Sequence, residues 1–457
     1  MFFGFFGDKD KIELKPKHKK FLNDLIIDDT NPSTLLHDFQ SMLEVLQQGD
    51  HKLTANQQLK LDSVRQINES LKKPLDVRLQ RQTQKSYPTI EGLYLLLRAS
   101  GLSYIETKGK THRLKIDNDD WLAQWNAFNL TEKYCHLLET WIMRAHETIL
   151  NERSGKFGMP RTLDKILSGY RKIGKDGYKI NSYQHFRDEF SYYPETYNLA
   201  LMDLFGIVKI HEGKPLDGDG WQLDRVEQTQ HGEALLALLS DVILNQMMQK
   251  MKEIMESPEE FLEKLEQETE EQSEDNITSQ SISILQPYFE EYFPAWKKTL
   301  TVQPSDHMRG HLTFAVSLSG GWSAEIVLDA EQTFDTLAHS ILMAVKFDSD
   351  HLYQFVYQSR FGEEVEIVHP YADGAFATNE VTIGSLAMRE GFKMVFIFDF
   401  GDWWEFDVVV KQIQPNKTGT KIEIANVKGE APEQYPSWDD DDDNFESFAT
   451  GFDFFGE

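Results

Sequence analysis

The nineteen residues 392–410, reading FKMVFIFDFGDWWEFDVVV, constrain the fold of this chain more than any other stretch. Phe392, Met394, Phe396, Phe398 and Phe400 alternate with Lys393, Val395, Ile397 and Asp399. A period of two in aromatic and β-branched residues predicts a strand with one buried face. Asp399-Phe-Gly-Asp402 interrupts the pattern, which resumes from Glu405 to Ile413, so a β-hairpin with Gly401 in its turn is expected. That turn gathers Asp399, Asp402, Trp403, Trp404 and Glu405. Consecutive strand residues face opposite ways, so one of the two indoles should face the core.

The segments around this hairpin carry the same signature. Leu312, Phe314, Val316 and Leu318 alternate, Gly320-Gly321 turns the chain, and Trp322, Ala324, Ile326 and Leu328 alternate again. Residues 333–347 change to helical spacing, whereas 351–357, 364–368 and 421–427 read as strands and 383–390 as a short helix. Strands with one or two helices on one face make an α+β domain with an antiparallel-rich sheet.

The amino half has a different period. Phe21, Leu22, Leu25 and Ile26, then Leu35 to Leu46, follow three-and-four spacing, so residues 9–85 read as helical. Residues 89–100, TIEGLYLLLRAS, predict an apolar helix closed by Gly101, followed by a basic hairpin (104–106 and 113–116) and a helix from Trp121. Helix, β-wing and helix is the order of a winged-helix unit, and residues 194–245 repeat it. The fold expected is therefore multidomain: a mainly α amino half with two winged-helix-like units, then the α+β domain. Its parts are a helical region 1–85, unit one 86–150, a basic connector 151–185, unit two 186–250, an acidic helix and linker 251–281, the α+β domain 282–438, and an acidic aromatic tail 439–457.

Charge divides along the same lines. The formal charge of −28 separates into +6 for residues 1–180 and −34 for the remainder, which removes any bulk attraction to nucleic acid but leaves a mildly basic amino half. A single cysteine, Cys135, excludes an internal disulfide and a cysteine-rich zinc site and fits a reducing compartment. No apolar run approaches the length of a membrane span, and the start, MFFGFFGDKDK, lacks the basic region of a signal peptide. A cytoplasmic protein with no membrane partner is expected.

TFAVSL, a glycine turn, Trp322, TFDTLAHSILMAVKFDSDHLYQF, FIFDFGDWWEFDVVV and Tyr435-Pro436 together resemble the plasmid pRiA-four-b ORF-three-like family over roughly residues 290–438. KLTANQQLKL and YPTIEGLYLLLRASGL resemble the helical, winged-helix-like region ahead of this domain in longer members. The resemblance implies an α+β fold and a mobile-element setting but no activity. Three departures are clear: Trp322 is followed by Ser323-Ala-Glu rather than arginines, Phe406 stands where many members have histidine, and Asp439 to Asp443 replace the usual ending.

Two groups of residues could carry function. Asp350, His351, Asp399, Asp402, Trp403, Trp404 and Glu405 are candidates for binding a ligand or partner, being of the types used for divalent metals, acid/base work and stacking. Their spacing matches no metal motif, so no metal, catalytic residue or cofactor is assigned. Arg98, Lys108, Lys110, His112, Arg113 and Lys115 are candidates for phosphate contact. No P-loop, dinucleotide fingerprint, nucleophile elbow or zinc-protease pair is present. The expectation is a non-enzymatic binding or adaptor protein of a bacterial mobile-element or regulatory context, with a protein partner and with weak, non-specific DNA contact by the first wing left open. The alternative is a metal-dependent enzyme using the hairpin carboxylates. The tail 437–457, five aspartates followed by five phenylalanines, suits docking on the basic amino half.

Overall fold

In the computed structural model, residues 12–108, 111–116, 120–150, 162–243, 280–281, 283–302 and 308–434 are described, the last stretch apart from 363, 373, 375, 387, 418, 420 and 421. Twelve α-helices lie among them, nearly all before residue 300, and a seven-stranded antiparallel sheet follows. The chain divides into two compact units. The first comprises residues 1–308 with 356–365 and 391–393, and the second the remaining residues from 309 onward.

Within the first unit one order of elements occurs twice. Its first occurrence is α2 (Leu35–Gln47), β1 (His51–Lys52), α3 (Leu61–Ser70), α4 (Pro88–Ala99), β2 (Ser103–Lys108) and β3 (Thr111–Ile116), with α1 (Pro16–Asn23) ahead of it. The second is α7 (Thr162–Ile173), β4 (Tyr178–Lys179), α8 (Tyr183–Phe190), α9 (Thr196–Leu204), β5 (Val208–Glu212) and β6 (Leu223–Gln228). Each forms a three-stranded sheet with its last strand in the middle, in the orders β1-β3-β2 and β4-β6-β5. The repeat is longer than the hairpin patterns suggested, because β1 and β4 are two residues each and leave no period to read. Residues 162–173 of the basic connector are the opening helix of the second repeat.

Local chemistry starts and stops these helices. Gly101 closes α4 with φ +80°, a backbone conformation that a side chain disfavours. Asn129 opens α6 (Leu130–Glu139), which follows α5 (Asp120–Ala127): its side chain accepts from Glu132 N at 2.9 Å while Glu132 Oε2 accepts from Asn129 N at 2.8 Å. Thr229 caps α10 (Gln230–Ser240) by accepting from Gly232 N at 2.8 Å. The third helices of the two repeats, α4 and α9, pack against each other. Gly92 makes the close approach, since a Cβ there would lie 2.7 Å from Leu201 Cγ.

Residues 283–300, expected at the start of the α+β domain, contribute to the first unit instead. The short helix α11 (Gln286–Phe289) and the turn after it bury Leu285, Phe289, Phe293, Trp296 and Leu300 in that unit's core. Ser283 Oγ donates to Glu139 Oε2 at 2.6 Å, and the two-residue strands β7 (Gln280–Ser281) and β8 (Thr301–Val302) pair antiparallel.

The seven-stranded sheet uses β9 (His311–Leu318), β10 (Ser323–Asp329), β11 (Tyr353–Gln358), β12 (Glu364–Val368), β13 (Lys393–Phe398), β14 (Trp404–Gln414) and β15 (Glu423–Lys428) in the order β12-β11-β13-β14-β9-β10-β15. Helix α12 (Phe334–Val345) supplies Phe334, Leu337, Ile341, Leu342 and Val345 to the core beside Phe314, Val316, Ile326, Phe396, Phe398, Phe406 and Val408. The expected helix at 383–390 is a single 3-10 turn, Ile383–Ser385. Phe406, where the resembled family often has histidine, is wholly buried with its ring 6.0 Å from Trp322 and 5.7 Å from Phe396. That is an apolar packing position with no partner for an imidazole.

Candidate functional site

The β13–β14 turn is held by one side chain. Asp399 is buried, has φ +56°, and its Oδ1 accepts from Gly401 N at 2.9 Å, while its carbonyl accepts from Trp403 N at 2.6 Å. Asp and Asn tolerate this left-handed region because their short side chains bond the local backbone. Trp403 is also left-handed, with φ +56° and no such compensation, so the turn stores strain at that residue. The consequence is an outward indole. Trp403 is 51% exposed, its Nε1 donates to Glu405 Oε1 at 2.7 Å, and its ring lies 6.1 Å from that of Phe400, itself 40% exposed. Trp404 turns inward and meets Phe347 edge-on at 5.1 Å.

Around the two exposed rings stand carboxylates. Asp350, Asp402 and Glu405 are exposed, and His351 Nε2 lies 3.5 Å from Asp399 Oδ2 and 3.8 Å from Asp350 Oδ2. All seven candidates therefore belong to one end of the sheet. Among the described residues, no three His, Cys, Asp or Glu side chains are arranged to hold a metal ion. The surface can offer stacking, cation–π contact and hydrogen-bond acceptance to a cationic group.

The basic candidates are more scattered. Arg98 is 2% exposed: its guanidinium donates to Gln358 Oε1 at 3.0 Å and to Tyr94 Oη at 3.3 Å, so it is withdrawn from phosphate contact. Glu91 and Tyr94 of the same helix are buried too. The sequence did hold that signal, since α4 is apolar all round and such helices are buried. Arg113 Nε pairs with Asp50 Oδ1 at 3.0 Å and Lys115 Nζ lies 3.7 Å from the same atom. The Arg113 hydrogen bond holds the Asp50 carboxyl below its ordinary range. Nothing in the sequence near Asp50 announced this partner. His112 lies half-buried on β3, Lys108 ends β2, and Lys110 lies outside the described residues.

The wider basic surface shrinks likewise. Lys165 pairs with Glu195 at 2.7 Å and Lys172 with Glu189 at 2.6 Å. The carboxyl tail expected to dock there lies outside the described residues. In the second repeat Asp203 accepts from Ile210 N at 2.8 Å, and burial raises its carboxyl pKa.

Residues 322–435 match the family described as Plasmid pRiA4b ORF-3-like protein, so the carboxyl domain is of that family. No curated protein matches the sequence. Among solved structures, a protein of unknown function from Methanosarcina mazei Go1 is similar at 19% identity, covering 27% of this chain and 72% of its own, with a TM-score of 0.24.

Proposed function

We propose that this chain is a non-enzymatic binding or adaptor protein whose contact surface is the β13–β14 turn, in the mobile-element or regulatory setting that its carboxyl domain's family suggests. The observation that carries this reading is the exposed Trp403–Phe400 pair, held out by a turn with two left-handed non-glycine residues and rimmed by Asp350, Asp402 and Glu405. Large aromatic side chains held rigidly at the surface are what binding hot spots are made of. The carboxylates favour a partner that presents lysine or arginine.

Nucleic-acid contact is the second reading. It draws on the repeated helix–strand–helix–helix–strand–strand order, which we read as two winged-helix-like units. In such units the third helix enters the major groove, and here α4 and α9 are spent on each other. Of the basic candidates, this reading would use Lys108, Lys110 and His112 of the first wing for phosphate. The metal-dependent enzyme reading rests on the His351–Asp399 pair alone.

A pull-down from host lysate with the full chain and Trp403→Ala, each with and without nuclease, separates these readings. Capture that survives nuclease and is lost in the variant supports the turn, whereas capture lost to nuclease and retained in the variant refutes it in favour of the wing. Divalent-metal titration followed by tryptophan fluorescence should be silent, and a saturable response would revive the enzyme.

A further inference from the structure

Arg98 poses a problem that neither reading of the function solves. Arginine cannot shed its proton, so a buried guanidinium stays charged and needs a counter-charge. Among the described residues no carboxylate pairs with it: its partners are the neutral Gln358 Oε1 and Tyr94 Oη, and its Nε has none. The buried carboxylate on the same helix, Glu91, is seven residues away, about 10 Å along the axis, and accepts from Gln84 Nε2 at 2.7 Å.

A cavity of about 300 Å³ adjoins this charge within the first unit, lined by Asn56, Gln57, Thr148, Gln358, Gly362 and Glu364 among others. Two of its wall residues lead directly to the guanidinium. Gln358 holds Arg98 through its amide oxygen, and the Gln57 carbonyl accepts from Tyr94 Oη, which in turn accepts from Arg98. Gln57 has φ +55°, a left-handed conformation for a residue other than glycine. Backbone outliers of this kind cluster at binding sites. The wall carries the side-chain amides of Asn56, Gln57 and Gln358 and the hydroxyl of Thr148, and Glu364 brings one carboxylate to it.

We propose that Arg98 anchors the carboxylate of a small zwitterionic ligand of the α-amino-acid class in this pocket, with Glu364 receiving its ammonium group. Gln358 Oε1 stands where a ligand oxygen would be, and rotation of this exposed side chain opens the guanidinium to the cavity. An anion alone gains Arg98 but meets Glu364, and a cation alone does the reverse, so a molecule carrying both charges is preferred. The volume lies at the lower limit for ligand pockets, which keeps the ligand small.

The test uses the full chain, titrated with each common α-amino acid, with the N-acetyl form of any that acts, and with inorganic phosphate, read by thermal melting and calorimetry. At least one amino acid should raise Tm by roughly 2–4 °C at saturation, and N-acetylation should abolish the effect. Arg98→Met should melt no lower than the native chain without ligand, because an uncompensated charge is removed, and should lose the shift. Glu364→Gln, on the exposed rim, should fold normally and weaken binding about tenfold or more. A native chain unmoved by every amino acid, a response to phosphate alone, or a shift kept in either variant overturns the proposal.

Discussion

Replacing Gly92 by alanine tests the packing that takes the third helices away from nucleic acid. Alanine in a helix interior is better than glycine by about 1 kcal/mol. Against that gain, the new Cβ would sit 2.7 Å from Leu201 Cγ and 2.9 Å from Cδ2, well inside the ~3.5–4.0 Å optimum between carbons. Overpacking of this kind costs about 1–3 kcal/mol, so Gly92→Ala should be net destabilising by about 1 kcal/mol. In a Leu201→Ala background, which itself costs about 2–5 kcal/mol, the clashing atoms are gone. The same substitution should then stabilise by about 1 kcal/mol, a coupling of about 2 kcal/mol between the two sites. Urea unfolding followed by tryptophan fluorescence measures all four corners of the cycle. If Gly92→Ala has the same sign and size in both backgrounds, α4 and α9 are not in contact at this point, and the argument against major-groove reading falls with it.

Burial pushes His136 down to about 3 and His231 to about 4, so the folded protein refuses protons that the unfolded chain takes up below its ordinary histidine pKa of 6.5. Their contribution is complete above pH 6.5 and is lost as the pH falls toward 4, by roughly 3 kcal/mol for His231. Unfolding titrations at pH 7 and pH 4.5 should show the loss, and His231→Gln should make the profile shallower; an unchanged slope refutes the assignment. Trp403→Ala should leave stability within about 0.5 kcal/mol, whereas Trp404→Ala should cost roughly 2–4 kcal/mol; comparable losses would mean that both rings are core. A fragment from residue 282 carries Phe289, Phe293 and Trp296 without the core that buries them, so it should aggregate where one from residue 309 does not. Equal solubility would argue for the earlier boundary.

The α+β class, the central hairpin and the inward turn of one of the two indoles follow from a period of two, because alternation sets which side chains share a face whatever packs on it; that Trp403 is the outward one is decided by the left-handed turn. The turn chemistry at Gly101 and Asp399 is local and equally legible. Side chains whose role depends on a distant partner were not. Arg98 reads as exposed and basic until α9 and residues 356–365 close over α4, and Arg113 reads as a phosphate ligand until Asp50, 63 positions earlier, reaches it. The residues after 283 read as the start of one domain, yet their aromatic side chains complete the core of the other. Local conformation is decided within a few residues, and it can be read from order alone. Burial and ion pairing are decided between segments far apart in sequence, and for Arg98 only the tertiary structure turns a surface cation into a buried one.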